Sequence, residues 1–170
     1  MTLNPQADYS VIAIQDPTNH SVFLTKRALT LKTHPGEFCF PGGRIEQGED
    51  SYDAALRELF EETSATQDNL SVIKDVDPSR ITTITTYTSN KTFAVCYAMV
   101  CNKKRFDDCL KFNPDEVSSA QWFEPSRCRI VKDNSNRGTV KVVDIINGGY
   151  VEGATADVVA QLFSNPLSDR

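Results

Sequence analysis

The sequence predicts an α/β chain, an α/β/α sandwich around a mixed β-sheet. Three observations carry this expectation. Runs rich in β-branched residues recur at 9–15, 21–26, 80–89 and 92–101. Between the second and third of them lies an apparent helix within 50–65, and residues 154–163 (ATADVVAQLF) form an amphipathic helix that closes the chain. Strands that bracket one helix and precede another need helices over the sheet faces to bury their apolar sides. At 170 residues, with no internal repeat and no linker long enough to divide it, the chain is expected to be one domain over 1–170, with 1–8 a loose lead-in. A chain of that length buries about 70% of its unfolded surface.

Taken in order, YSVIAIQ (9–15) reads as a strand. Asp16-Pro17-Thr18-Asn19 is turn chemistry, and SVFLTK (21–26) completes a hairpin. Residues 30–36 form a polar loop containing His34-Pro35-Gly36, and EFCF (37–40) is a short strand. Pro41-Gly42-Gly43 reads as a sharp bend, where two glycines let the backbone approach a ligand closely. After the loop 46–50, Asp50 or Ser51 caps the helix. Past it, 66–69 is a polar connection and 70–73 a short strand. RITTITTYTS (80–89) and TFAVCYAMVC (92–101) are β runs with Asn90-Lys91 as their tip. The second is apolar on both sides, hence central. Lys103-Lys104-Arg105 is a basic cluster, read as a solvated strand end or an anion contact. VSSAQWF (117–123) follows as a strand, 133–138 is a polar loop, and 140–145 fits strand or helix equally.

Composition is ordinary for a soluble globular protein, at 39% hydrophobic and 24% charged. The net charge of −5 argues against a nucleic-acid groove that works by bulk attraction. It leaves room for an anionic small molecule whose charge is met by metal ions and local Lys or Arg. The five cysteines Cys39, Cys96, Cys101, Cys109 and Cys128 include no CxxC pair, and His20 and His34 supply no zinc pattern. They read as free thiols in a reducing compartment, with Cys39, Cys96 and Cys101 as buried small hydrophobes. Neither a secretory signal nor an apolar run of membrane-spanning length is visible, so a cytoplasmic location without a membrane partner is expected.

The chemistry concentrates in GRIEQGEDSYDAALRELFEETSA (43–65). On a helix, Glu58, Glu61 and Glu62 project together while Ala55, Leu56, Leu59 and Phe60 form an apolar stripe. Carboxylates so placed repel one another and call for a cation. Oxygen-rich sites suit hard divalent ions such as Mg²⁺ or Mn²⁺.

The frame of this stretch is also fixed. Gly43, five residues, Glu49, seven residues, then Arg57-Glu58-Leu59, Glu61 and Glu62 resemble the Nudix box, G-x5-E-x7-R-E-U-x-E-E-x-G-U. Ser64 stands where that pattern has Gly, and Ala65 is small for its last apolar slot. The resemblance implies a Nudix-type α/β/α sandwich and hydrolysis of a diphosphate linked to another group. It implies Glu58 and Glu62 as metal ligands, Glu61 as ligand or base, and the Gly43 carbonyl as a further ligand. Glu49 would pair with Arg57 to orient the carboxylates. Glu116, in Pro114-Asp115-Glu116-Val117, is the candidate for an additional acid that completes the metal site or acts as base.

Upstream, Leu24-Thr25-Lys26-Arg27-Ala28, then Lys32, Gly36 and Phe40-Pro41-Gly42-Gly43 resemble the signature of the coenzyme A pyrophosphatase branch, with Lys32 in place of Arg. Tyr150, Gly153, Thr155 and Ala156 resemble its closing motif, with Glu152 in place of Trp. That branch would cut coenzyme A or acyl-CoA to 3′,5′-ADP and (acyl-)4′-phosphopantetheine, with Arg27 and Lys32 on phosphate groups. The alternatives are a Nudix pyrophosphatase for ADP-ribose, dinucleotides or nucleoside triphosphates, and a non-catalytic nucleotide sensor. The partner expected is a small diphosphate rather than nucleic acid, acted on by a monomer or homodimer.

Overall fold

The computed structural model describes residues 8–66, 103–134 and 139–167, together with the backbone of 82–87 and 93–100. In chain order the elements are β1 (Tyr9–Gln15), β2 (Val22–Arg27), β3 (Phe38–Cys39), β4 (Gly42–Arg44), α1 (Ser51–Thr63), β5 (Thr82–Tyr87), β6 (Phe93–Val100), α2 (Lys103–Cys109), β7 (Val117–Phe123), β8 (Cys128–Lys132), β9 (Val140–Asp144), β10 (Tyr150–Val151) and α3 (Gly153–Ser164).

β1 lies parallel to β6 along its whole length, and β5 pairs antiparallel on the far side of β6. The parallel pair within an otherwise antiparallel sheet makes it mixed. β6 is flanked on both sides, as its apolar composition predicts. Residue alternation along the strands sorts two cores onto opposite faces. Ile12, Ile14 and Phe23 pack with Ala55 and Leu59 of α1 and Phe106 of α2. Ala13, Val22 and Leu24 pack instead with Val158, Val159 and Leu162 of α3. These two packed layers are the α/β/α sandwich.

β1 and β2 pair only at Ile14↔Phe23 and Gln15↔Val22, beside the hairpin turn. Beyond that they diverge. β4 occupies the freed edge of β1 (Ser10↔Gly43, Val11↔Gly42), and β3 that of β2 (Thr25↔Cys39, Lys26↔Phe38). β7 closes the other side of β2. The sheet therefore opens into a fork, floored by the short strands. The bend expected at Pro41-Gly42-Gly43 falls at Pro41, and Gly42 and Gly43 after it are ladder residues. A side chain at Gly42 would collide with the Ser10 carbonyl and Val11, so glycine lets β4 lie flat on β1.

Three other expectations change or resolve. The basic cluster opens helix α2 and does not end a strand; Lys103 Nζ pairs with Asp107 at 2.8 Å one turn on, and Phe106 anchors the helix in the core. A seven-residue helix with one buried side chain leaves too little periodicity to detect. Of residues 140–145, Val140–Asp144 form strand β9 and Ile145 begins the turn after it. With β8 and β10, β9 builds a second, antiparallel three-stranded sheet that the sequence pattern did not reveal. The strand expected at 70–73 and the tip at Asn90-Lys91 lie outside the described residues, as do the side chains of Cys96 and Cys101.

Helix α1 begins at Asp50, whose side chain accepts from the N–H groups of Tyr52 and Asp53. It ends at Ser64, which takes the left-handed conformation (φ 69°) that glycine adopts more readily. The Ser64 hydroxyl donates to the Lys111 carbonyl at 3.0 Å, which offsets part of the strain. Ser64→Ala keeps the strain and loses the bond, so it should lower stability by about 1 kcal/mol. Ser64→Gly should be the more stable of the two variants, as urea unfolding will measure.

Candidate functional site

A cleft of about 180 Å³ opens where the sheet forks, lined by Thr25, Arg27, Cys39 and Gly43 from the strands and by Glu58 and Glu62 from α1. Leu31 and the pair Glu116 and Val117 complete its wall. Residues from five separate segments thus meet at one point.

The i,i+4 geometry of α1 divides its charged residues into two files. Glu58 and Glu62 form one, directed into the cleft. Arg57 and Glu61 form the other. Arg57 grips Glu49 with a two-point fork, Nε–Oε2 2.8 Å and Nη2–Oε1 3.0 Å, and also donates from Nη2 to the Arg44 carbonyl at 3.1 Å. Its Nη1 reaches Glu58 Oε1 at 3.1 Å and Glu61 Oε2 at 3.2 Å. The fork and the Glu46 N–H hold the Glu49 carboxyl below the usual carboxylate range. Glu49 in turn raises the Arg57 guanidinium further above its ordinary value. The pair pins α1 to the loop before it. Glu61 has 46% of its side chain exposed, against 14% for Glu58, and does not line the cleft.

Glu116 reaches the cleft because its segment docks on the end of α1. The N–H groups of Lys111 and Asn113 satisfy the Thr63 and Glu62 carbonyls, at 2.8 and 2.9 Å. The Glu116 carbonyl then accepts from Ala28 N at 3.0 Å, tying the segment to the end of β2. The carboxylate atom Oε2 of Glu116 is buried without a hydrogen-bond partner among the described residues.

Burial and crowding shift the protonation of Glu58 and Glu62. Burial, then the charges of Glu58 and Glu116, push Glu62 up to about 8, although the Gly42 N–H donates to it. Burial raises Glu58 too, with Arg57 opposing. Gly43 is required by the same closeness: a Cβ there would stand 2.6 Å from Glu58 Oε1. The Glu58 carboxylate therefore lies directly against the β4 backbone.

Arg27 lines the cleft, with its Nε donating to the Thr33 carbonyl at 2.9 Å. Lys32 is exposed on the same loop and does not line the cleft. Nor do Tyr150, Gly153, Thr155 or Ala156, which belong to β10 and α3. Cys39 is a cleft residue beside Thr25, not merely a core filler; burial, then the Glu62 charge, push its thiol up to about 11. Its contribution was not read from the sequence, where the alternation of a short strand does not say which side faces a cavity.

The sequence matches the NUDIX domain over residues 5–142. The chain belongs to the NUDIX family. Nudix hydrolase 3 of Caenorhabditis elegans is 48% identical over 52 residues, covering 31% of this chain and 22% of that protein. The m7GpppN-mRNA hydrolase NUDT17 of Homo sapiens is 29% identical over 129 residues, covering 69% and 38%. The match thus spans less than two fifths of the length of either relative. Among solved structures, an Ap4A hydrolase of C. elegans superposes with a TM-score of 0.54 at 19% identity, covering 69% of this chain and 80% of that one. A bifunctional NMN adenylyltransferase/ADP ribose pyrophosphatase of Francisella tularensis, complexed with AMP and a Mn ion, gives 0.58 at 16% identity, covering 96% and 43%. At these identities the structures establish the Nudix fold alone.

Among the described residues no three His, Cys, Asp or Glu side chains stand ready-arranged around an ion position. The donor set nevertheless fits a hard divalent cation: Glu58, Glu62 and Glu116 line one cleft, and one of their oxygens is buried and unpartnered.

A raised carboxylate binds its proton more tightly in the folded state. Glu62 therefore stabilises the fold below its ordinary value near 4.5, and that contribution is lost as pH rises through about 8. With chelator present, stability should fall between about pH 5 and 8 by on the order of a few kcal/mol. Glu62→Gln should flatten this slope in urea unfolding curves recorded across that range.

Proposed function

We propose that this chain hydrolyses a diphosphate linked to a second group, with a divalent ion, Mg²⁺ or Mn²⁺, held by Glu58 and Glu62. The supporting observation is the crowding of Glu58, Glu62 and Glu116 in one half-buried cleft with Arg27 at its wall. Glu116 and the Gly43 carbonyl are the further donors. An ion held there would supply charge neutralisation at the phosphate oxygens and would make the attacking water easier to deprotonate. Arg57 and Glu49 hold Glu58 in register and contact no substrate. Arg27 offers a planar two-point contact to a phosphate group as it enters. Lys32 on the same loop is a second, point-charge contact. A carboxylate that is not fully engaged by the cation takes the proton of the attacking water; Glu61 and Glu116 are the candidates, and Glu61 stays tethered to Arg57 meanwhile. The substrate is a small molecule met in the cytoplasm by a one-domain monomer or homodimer, without nucleic-acid or membrane partners.

Coenzyme A or an acyl derivative is the proposed substrate, supported by Leu24-Thr25-Lys26-Arg27-Ala28 and Gly36 ahead of the glycine pair. Thr25 and Arg27 of that motif line the cleft. The fold neighbours include proteins described as Ap4A hydrolase and ADP ribose pyrophosphatase, so these substrates form the second reading.

The test is product release with Mg²⁺ or Mn²⁺ from coenzyme A, ADP-ribose, diadenosine tetraphosphate and a cap dinucleotide. Glu62→Gln should lower kcat by at least about 100-fold, the scale of losing a group that stabilises transition-state charge. Coenzyme A cleaved no faster than ADP-ribose would remove the branch assignment. Binding without turnover, unchanged in Glu62→Gln, would favour the sensor. Arg27→Lys should raise KM more than it lowers kcat, because the fork is lost while the charge stays.

A further inference from the structure

The second sheet ends in an edge that nothing among the described residues covers. β8 pairs with β9 on one side, from Cys128↔Asp144 to Lys132↔Val140. The flanking bonds Asp133 N to Thr139 O and Ile145 N to Arg127 O fix which residues exchange hydrogen bonds across this ladder. In an antiparallel pair such residues alternate. Arg129 and Val131 therefore bond inward to β9, while Ile130 and Lys132 turn their N–H and C=O groups to the open side. Side chains alternate as well, Arg129 and Val131 to one face, Ile130 and Lys132 to the other.

The edge is apolar and basic together. Ile130 is 44% exposed and Val131 37%. Arg129 and Lys132 are exposed and have no acidic partner among the described residues. Next to them Arg127 is engaged by Glu124 at 3.1 Å. On a chain of net charge −5 this strand is a local cationic strip. Edge cations commonly serve to repel other strands. Here two exposed β-branched residues stand between the cations, which a purely protective edge would omit.

We propose that β8 is a docking edge for an extended acidic peptide segment of a partner protein, which adds to the second sheet as a further strand. Four backbone groups of Ile130 and Lys132 give the register. Apolar side chains of the partner lie beside Ile130 and Val131, and its carboxylates face Arg129 and Lys132. A second copy of this chain is the poorer occupant: antiparallel self-pairing about Ile130 would set Arg129 opposite Val131 and Lys132 opposite Cys128, gathering four cations on one ribbon with no carboxylate opposite any of them. The proposal is independent of the hydrolytic reading, because the strand contributes nothing to the cleft.

The experiment uses the full chain and a fluorescein-labelled peptide containing Glu-Val-Val-Glu, the pattern that sets a carboxylate opposite Arg129 and Lys132 and an apolar residue opposite Ile130 and Val131, read by fluorescence anisotropy. Saturable binding is expected that weakens with salt and falls at least tenfold in the double variant Arg129→Glu/Lys132→Glu. Ile130→Pro should have the same effect, since it removes an outward N–H without breaking a bond to β9. Amide exchange at Ile130 and Lys132 should slow when the peptide binds. Equal binding of the matching Lys-Val-Val-Lys peptide, or no saturable binding, would overturn the proposal. So would a dimer in sedimentation that the double charge reversal dissociates.

Discussion

Like charges gathered in a poorly solvated cleft are the constraint on which the rest of this molecule turns. Glu58, Glu62 and Glu116 share a small wall, and burial followed by the charges of Glu58 and Glu116 makes Glu62 hard to ionise. A carboxylate that is buried and surrounded by other carboxylates either keeps its proton or finds a cation. Arg57 relieves Glu58 in part, and its ion pairs among the described residues go to Glu46, Glu49, Glu58 and Glu61, not to Glu62 or Glu116. The cleft therefore concentrates carboxylates beside the guanidinium of Arg27, the condition that the proposed divalent ion would relieve.

The fold maintains that arrangement against its own repulsion. α1 is fastened at three places: by the Asp50 cap at its start, by the Arg57–Glu49 fork at its middle, and by the Ser64 turn and residues 111–113 at its end. Each fastening satisfies backbone or side-chain groups that would otherwise be orphaned. The last is also what delivers Glu116, because the same segment that closes the helix carbonyls leads directly into β7. Stability at the helix end and assembly of the site are thus one structural event.

The spacing Gly43, Glu49, Arg57, Glu58 and Glu62 made much of α1 and its surroundings legible, because i,i+4 relations are local and survive without tertiary information. The N-cap, narrowed to Asp50 or Ser51, followed from the same local rules, and the structure gives it to Asp50. What spacing did not resolve was the division of labour among Glu58, Glu61 and Glu62. About 100° per residue puts Glu61 in the file of Arg57 and away from Glu62. Which file meets the cleft depends on the sheet behind it. The basic cluster misled for a related reason: Lys103 and its neighbours are polar in any conformation, and only Phe106 entering the core marks a helix there.

By itself the sequence determined the helix and its start, the central strands and the list of acids, since each rests on interactions within a few residues. The tertiary structure decided that β1 and β2 diverge, that Gly42 and Gly43 lie in a ladder, and that Glu116 reaches Glu62 from 54 positions away. It also decided that β8, β9 and β10 form a separate sheet with an open edge. These are matters of which distant strands share hydrogen bonds. Backbone groups look the same in every residue, so only the packed chain can say where they pair.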